Sequence, residues 1–336
     1  MPGLWVPGRL GPRRFSPGRD VVSSLPVVAI VGPTATGKSE LALALARAAD
    51  GEVVNADASQ LYRGMDIGTA KVPVDQRQDV PHHQLDVLDI QQEASVAAYQ
   101  RCARADLGAI SAGGRLPILA GGSGLYVRAA LDRLDIPPTD PGLRASLERE
   151  LADRGLDVLR QRLERADPAA ARVIDAHNAR RIVRALEVIE LTGRPFSATM
   201  PTRDFIGPTV LVGLRCERAV LDERIARRTR GMWAAGLLAE VEQLVGAGLA
   251  QTRTAARAVG YPQAMAQLRG DCTQDDAVEA TVAATRRLVR RQESWFGADP
   301  RVHWLQAPAT PDDLPALVSR IHQLLDASTG DGTLGG

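Results

Sequence analysis

The chain has 336 residues, 45% hydrophobic and 24% charged, with a formal net charge of +1. This balance describes a globular protein with a full core, and a charge near zero makes no case by itself for a nucleic-acid or membrane-surface partner. No apolar stretch reaches the length of a membrane-crossing helix, and the dispersed Cys102, Cys216 and Cys272 suit neither a disulfide framework nor a zinc site, so a reduced cytoplasm is the expected setting.

Residues 1–25 carry Arg9, Arg13, Arg14 and Arg19 among glycines and prolines, without the apolar run of a secretory signal. A flexible extension is expected there. Val27, Val28, Ala29, Ile30 and Val31 then form a short β-branched run suited to a buried parallel strand. Next come Gly32, Pro33, Thr34, Ala35, Thr36, Gly37, Lys38 and Ser39, followed by a Leu- and Ala-rich helical stretch. Strand, glycine loop and helix together make a phosphate-binding loop, whose backbone N–H groups meet at a helix N-terminus. In such a loop the lysine reaches the terminal phosphates and the Ser39 hydroxyl sits on a magnesium ion. Lysine is otherwise scarce: only Lys38 and Lys71 occur, and the other 39 of the 41 basic residues are arginine. A retained lysine in such a chain suggests a need for a compact ammonium group.

Glu52 to Asn55 is β-prone and delivers Asp57 to the C-terminal end of a strand, where open parallel sheets gather ligands. Asp57 has three readings: a magnesium ligand, a general base, or the N-cap of a short helix. Gln60 either reads a nucleobase edge or is a plain surface glutamine. The polar, glycine-containing segment up to Lys71 has no repeating pattern and reads as a shaped loop. His82 and His83 are adjacent in an extended segment and point opposite ways, which favours loop hydrogen bonding over a metal pair. Further strands are expected at 85–88, 116–120, 209–215 and 301–305.

Residues 141–203 are rich in Arg, Glu, Ala and Leu and lack strand signals. They read as an all-helical insertion domain between proline hinges, flanked by an α/β core over 26–140 and 204–325. The fold class is therefore α/β: a P-loop, nucleotide-kinase-like parallel sheet covered by helices, with a helical insertion. Basic residues gather at 224–230 and 286–291, where phosphate contact and simple solvation are both open. A disordered tail is expected over 326–336.

The phosphate loop followed by Asn55-Ala-Asp57-x-x-Gln60-x-Tyr62-Arg63-Gly64-Met65-Asp66-Ile67-Gly68-Thr69-Ala70-Lys71 closely resembles the bacterial tRNA dimethylallyltransferases. The resemblance continues in family order through Pro81-His82-His83, Gly121-Gly122-Ser123-Gly124-Leu125-Tyr126 and Asn178-Ala-Arg-Arg-Ile-Val-Arg-Ala-Leu-Glu187. It ends with Arg257-Ala-Val-Gly-Tyr261 and Arg290-Arg-Gln-x-x-Trp-Phe296. It covers about Val27 to about Leu305.

The resemblance implies transfer of a dimethylallyl group from its diphosphate to the N6 amine of the adenosine beside the anticodon, in tRNAs reading codons that begin with U. It implies that Thr34 to Ser39 hold the diphosphate, with Lys38 neutralising charge and Mg2+ near Ser39. Asp57 matches the catalytic carboxylate and Ser123 the residue that contacts the adenosine. Arg228 matches an arginine near the diphosphate, its plain alternative being a surface arginine on a helix. The tRNA contacts implied are Asp57, Ala58, Ser59, Gln60 and Ser123, then Arg144, then Arg180, Arg181, Ile182, Val183 and Arg184. Arg257, Ala258, Val259, Gly260, Tyr261 and Pro262 complete them. Without the resemblance, Arg180, Arg181 and Arg184 read as the solvated face of a helix whose Ile182, Leu186 and Ile189 turn to the core. The implied partners are the tRNA anticodon stem-loop and dimethylallyl diphosphate, with no membrane, for an enzyme acting as a monomer.

Ala58 stands where many relatives carry serine, and Pro262 replaces a common basic or polar residue. Both bear on RNA docking rather than on the reaction. Three rivals share parts of the pattern: an ATP-dependent small-molecule kinase, a nucleotide-driven RNA-binding switch, and an isopentenyltransferase acting on free adenine nucleotides.

Overall fold

In the computed structural model, which describes residues 25–199 and 202–330, two compact units are present. The larger begins with strand β1 (Val27–Val31), helix α1 (Lys38–Ala48), β2 (Gly51–Asn55) and β3 (His82–His83). Then follow α2 (Val96–Ala112), β4 (Leu116–Gly121) and α3 (Gly124–Leu131). Asp132–Phe205 forms the second unit, with α4 (Pro141–Arg154), α5 (Leu156–Ala166), α6 (Pro168–Val173) and α7 (Ala179–Thr192). The chain returns to the first unit with β5 (Thr209–Arg215), α8 (Arg218–Ala234), α9 (Leu237–Gly246) and α10 (Tyr261–Leu268). It closes with α11 (Gln274–Gly297), β6 (His303–Gln306) and α12 (Leu314–Gly330).

The six strands are parallel and ordered β3-β2-β4-β1-β5-β6. β1 is buried along its whole length, as its unbroken β-branched run requires when both faces are covered. Val28 and Ile30 of β1 pack with Leu41 and Leu45 of α1, Ile118 of β4, Val212 of β5 and Ile321 of α12. Gly121 ends β4 where no side chain fits, since a Cβ there would lie 2.3 Å from the Ala56 carbonyl oxygen. The exits of β2 and β4 thus run backbone against backbone, and the residues after each are brought together.

Three sequence expectations are corrected. The third strand is His82–His83, paired with Val53 and Val54, and not 85–88. Gln84 and Asp86 adopt positive φ values of 56°, which break the extended path. Helix α12 continues to Gly330 because its apolar face, including Leu324 and Leu325, packs on the core. Residues 326–330 are therefore helix, while 331–336 lie outside the described residues. The expected extension over 1–25 also lies outside them, apart from Leu25, whose N–H donates to Ser111 Oγ. The second unit spans 132–205 rather than 141–203. An Asp132–Phe205 bridge joins its two ends ahead of the first helix.

Within that second unit, Leu159, Leu163, Ile182 and Leu186 form the centre of an apolar cluster spanning α4 to α7. Asp140, Asp167 and Asn178 cap α4, α6 and α7 with side-chain acceptors. Glu187 is fully buried on α7 and is held by Arg144, Arg184 and the Asp140 N–H. Burial works against its ionisation, but the hydrogen bonds from Arg144 and Arg184 prevail and keep its carboxyl below the usual range. Leu163→Ala is expected to destabilise this unit by about 2–5 kcal/mol, read as a shift of its urea transition. Arg180→Ala, on the exposed face of α7, is expected to change it by less than about 0.5 kcal/mol.

Candidate active site

The phosphate-binding loop leaves β1 at Gly32 and enters α1 at Lys38. Lys38 Nζ donates to the Pro33 carbonyl at 2.5 Å, and Thr36 Oγ1 donates to the same oxygen at 2.8 Å. Burial lowers the Lys38 pKa to about 8; Arg228 pushes it the same way, while Asp57 and Glu40 oppose. Arg228, on α8, is likewise held below its ordinary value by burial, with Glu40 and Asp57 opposing. Its Nη1 donates to Thr34 Oγ1 at 3.3 Å. Two desolvated cations at one helix N-terminus favour an incoming anion, which would restore the charge balance that burial disturbs.

Asp57 lies in a turn directly after β2, not at a helix start. Asn55 fixes that turn: its Oδ1 accepts from the Asp57 N–H at 2.9 Å, and its Nδ2 donates to the Asp57 and Gln84 carbonyls. Asp57 Oδ1 accepts from the Ser59 N–H at 3.0 Å and from Ser59 Oγ at 2.6 Å. Its second oxygen takes no hydrogen bond among the described residues. One carboxylate oxygen is anchored while the other remains available to accept a proton. Ser123 Oγ accepts from the Ala58 N–H at 3.1 Å, so the turn after β4 is tied to the residue following Asp57.

Asp57, Ala58, Ser59 and Ser123 share a cleft of about 260 Å³ with Thr34, Ala35 and Arg228. Ile225, Met232, Val259 and Leu288 supply an apolar wall, while Arg257 and Arg291 add positive charge. Ser39 lies elsewhere, on a crevice of about 30 Å³ shared with Asn55 and Gln60. A larger cleft of about 550 Å³ lies on the other side of Arg228 and Met232. Its Lys71 is already held by Asp66 and Asp86, each at 2.5 Å.

The residues expected to contact RNA divide sharply. Arg257, Ala258 and Val259 reach the cleft beside Ala58 and Ser59. Gln60 is occupied within its own loop, its Nε2 donating to the Thr69 carbonyl at 3.0 Å. Arg180 and Arg181 are exposed on α7 and make no ion pair among the described residues. Ile182 and Val183 are core residues at 1% and 3% exposure, because the helical period turns them inward, so their side chains offer no RNA contact. Arg144 and Arg184 point their guanidinium groups at buried Glu187, and Arg184 also donates to the Pro137 and Pro138 carbonyls. Pro262 is exposed, but Gly260 and Tyr261 are buried. Tyr261 cannot stack on a base: its hydroxyl donates to Glu240 Oε1 at 2.7 Å. Burial, together with Glu240, raises its pKa.

Three residues with site roles were missed in the sequence. Asn55 scaffolds Asp57. Glu240 on α9 accepts the N–H groups of Asp66, Ile67 and Gly68 at 3.0, 2.7 and 3.2 Å, fastening the loop that lines the cleft. Gln292 on α11 bonds the backbone of both the phosphate loop and the turn after β4. Gln292 stood inside a recognisable motif, whereas Glu240 had no local signal beyond lying on an amphipathic helix.

A family model described as IPP transferase matches residues 60–299. A Streptomyces avermitilis protein named tRNA dimethylallyltransferase is 58% identical over 292 residues, covering 87% of this chain and 94% of that one. A Kocuria rhizophila protein of the same name is 55% identical over 303 residues, covering 90% and 96%. Among solved structures, the full-length tRNA isopentenylpyrophosphate transferase from Bacillus halodurans aligns with a TM-score of 0.67 at 35% identity, covering 91% and 98%. A eukaryotic dimethylallyltransferase acting on tRNA aligns with a TM-score of 0.71 at 25% identity, covering 85% and 75%. With the phosphate loop, the parallel sheet and this extent of identity in agreement, the chain belongs to the IPP transferase family.

Proposed function

We propose that the protein transfers a dimethylallyl group from dimethylallyl diphosphate to the N6 amine of the adenosine 3′ of the anticodon, in tRNAs reading codons that begin with U. The observation that carries this reading is one cleft that brings a carboxylate with an available oxygen and an apolar wall together with Arg228 and the phosphate-loop residues Thr34 and Ala35. The names of its close relatives support the same reaction.

Lys38, Arg228 and the loop amides hold the diphosphate, and Ile225, Met232, Val259 and Leu288 enclose the five-carbon chain. The N6 lone pair is delocalised into the ring, so the amine is a weak nucleophile. As the new C–N bond forms, the allylic C–O bond breaks and both its electrons leave with diphosphate. The displaced N6 proton passes to Asp57 Oδ2 and then to solvent. Donors preset around the departing oxygens stabilise the separating charge more than they stabilise the intact substrate. Ser123, whose Oγ accepts from Ala58, keeps its own hydroxyl proton for the adenine ring.

Ser39 lines a small crevice with Asn55 and Gln60, and because the Asn55 amide oxygen already accepts the Asp57 N–H, the Ser39 hydroxyl is the oxygen that would serve a hard cation. Mg2+ held at Ser39 would supply Lewis-acid neutralisation of the leaving group. Arg180, Arg181, Arg257 and Arg291 are exposed cations suited to tRNA phosphates, and reaching the target base requires extruding it from the anticodon loop. The proposed setting is a monomeric enzyme working in the cytoplasm beside its tRNA.

The test incubates the protein with unmodified tRNA, labelled dimethylallyl diphosphate and Mg2+, with ATP and AMP in parallel. Label in tRNA is the expected result. Label in AMP, or phosphate released from ATP without prenylation, would replace this reading with a free-nucleotide transferase or a kinase. Asp57→Ala is expected to lower the single-turnover rate about 10²–10⁴-fold while leaving diphosphate affinity nearly intact. A loss of diphosphate affinity with normal chemistry would assign Asp57 to the metal. Diphosphate favours the charged ammonium, so donor binding takes up a proton wherever free Lys38 is neutral. With Lys38 at about 8, donor affinity is expected to fall as pH rises through that value, approaching tenfold per unit above it. Titrations of the Lys38→Ala enzyme are expected to lose this alkaline limb together with most of the affinity.

A further inference from the structure

We propose that Gln292 is a positioning residue that keeps the donor and acceptor halves of the active site in register, an inference that rests on the prenyl-transfer reading above. Gln292 is 7% exposed on α11. Its Oε1 accepts the Thr34 N–H at 3.0 Å, and its Nε2 donates to the Gly122 carbonyl at 3.0 Å. One end thus grips the phosphate-binding loop and the other the turn that precedes Ser123. The two loops leave different strands, β1 and β4, and this amide bridges them directly.

Each grip extends to a reacting group. Thr34 Oγ1 receives the Arg228 guanidinium at 3.3 Å, on the leaving-group side. Ser123 Oγ receives the Ala58 N–H at 3.1 Å, next to Asp57 on the acceptor side. Gln292 touches neither the proposed base nor Lys38, so its contribution is geometric. The site is shaped for this contact: a Cβ on Gly122 would lie 2.3 Å from Gln292 Nε2, so a side chain there would push the carboxamide away from its present place. The residue type also follows from the chemistry. One acceptor and one donor are required about one side chain's length from the helix, without adding charge among Asp57, Arg228, Arg257 and Arg291, which share the cleft. A neutral carboxamide meets that requirement, and an ionised carboxylate of the same size does not. In-line displacement needs the amine, the allylic carbon and the departing oxygen aligned, and small misplacements of such groups reduce rate strongly.

The experiment measures single-turnover prenylation with both substrates saturating, and the affinity of each substrate separately. The wild-type enzyme is run first on unmodified tRNA, so that failure of the prenyl-transfer reading is seen on its own. Gln292→Met is expected to lower the single-turnover rate about 10–100-fold. Its affinities for dimethylallyl diphosphate and for tRNA are expected to change by less than about threefold. Adding Gly122→Ala to Q292M is expected to lower the rate by no more than about twofold further, because both changes break the same tie. A purely structural role would lower the melting temperature and the folded fraction while leaving the rate per active site unchanged. A Q292M rate within about twofold of wild type, or losses that multiply in the double variant, would overturn the proposal. Should Q292M fail to fold, Gln292→Leu removes both the donor and the acceptor without adding charge, and is measured with the same expectations.

Discussion

Charge around the phosphate-binding loop is the constraint on which the rest of the structure turns. Lys38 and Arg228 lie close enough to repel each other, both partly withdrawn from water, with Asp57 and Glu40 as the carboxylates that oppose their deprotonation. Desolvated like charges of this kind are tolerated where a ligand supplies the missing anion. The loop amides and the start of α1 bring partial positive charge to the same place. The rest of the core can be understood as the scaffold that holds this unbalanced set of groups in position.

That scaffold relies on side chains bonding backbone, because the segments around the cleft have little regular structure of their own. Asn55 saturates the turn that carries Asp57. Glu240 collects three successive N–H groups and the Tyr261 hydroxyl, fastening the 66–68 loop and the start of α10 to α9. Each of these groups is polar and partly buried, so its hydrogen bonds offset a desolvation penalty as well as fixing geometry. Precision at the cleft therefore comes from helices and strands acting at a distance through single amides and carboxylates.

The two lysines illustrate how environment divides one residue type between roles. Lys71 is 2% exposed in its side chain and donates to Asp66, Asp86 and the Tyr62 carbonyl, so its three hydrogens are all engaged in folding the loop. Lys38 has one carbonyl partner and a lowered pKa, and remains available to a ligand. Both needs favour a compact ammonium over a guanidinium fork. An arginine-rich chain that keeps lysine at these two positions is consistent with that difference.

Local pattern alone determined the phosphate-binding loop, its flanking strand and helix, the helical character of the second unit and the presence of a carboxylate at the exit of β2. These features depend on residues within a few positions of one another, through strand propensity, helix period and glycine placement. Tertiary structure decided which groups those motifs present. It turned Ile182 and Val183 into core, engaged Arg144 and Arg184 with Glu187, and buried Tyr261 against Glu240. It also moved the third strand to His82–His83, where Val53 and Val54 offered a partner. Gln292 lies 258 residues from Thr34 and 170 from Gly122, so only the folding of α11 against the ends of β1 and β4 could bring them together. A hydrogen bond across such a separation leaves no periodic trace in sequence, because its geometry is set by the packing of whole elements and not by neighbouring residues.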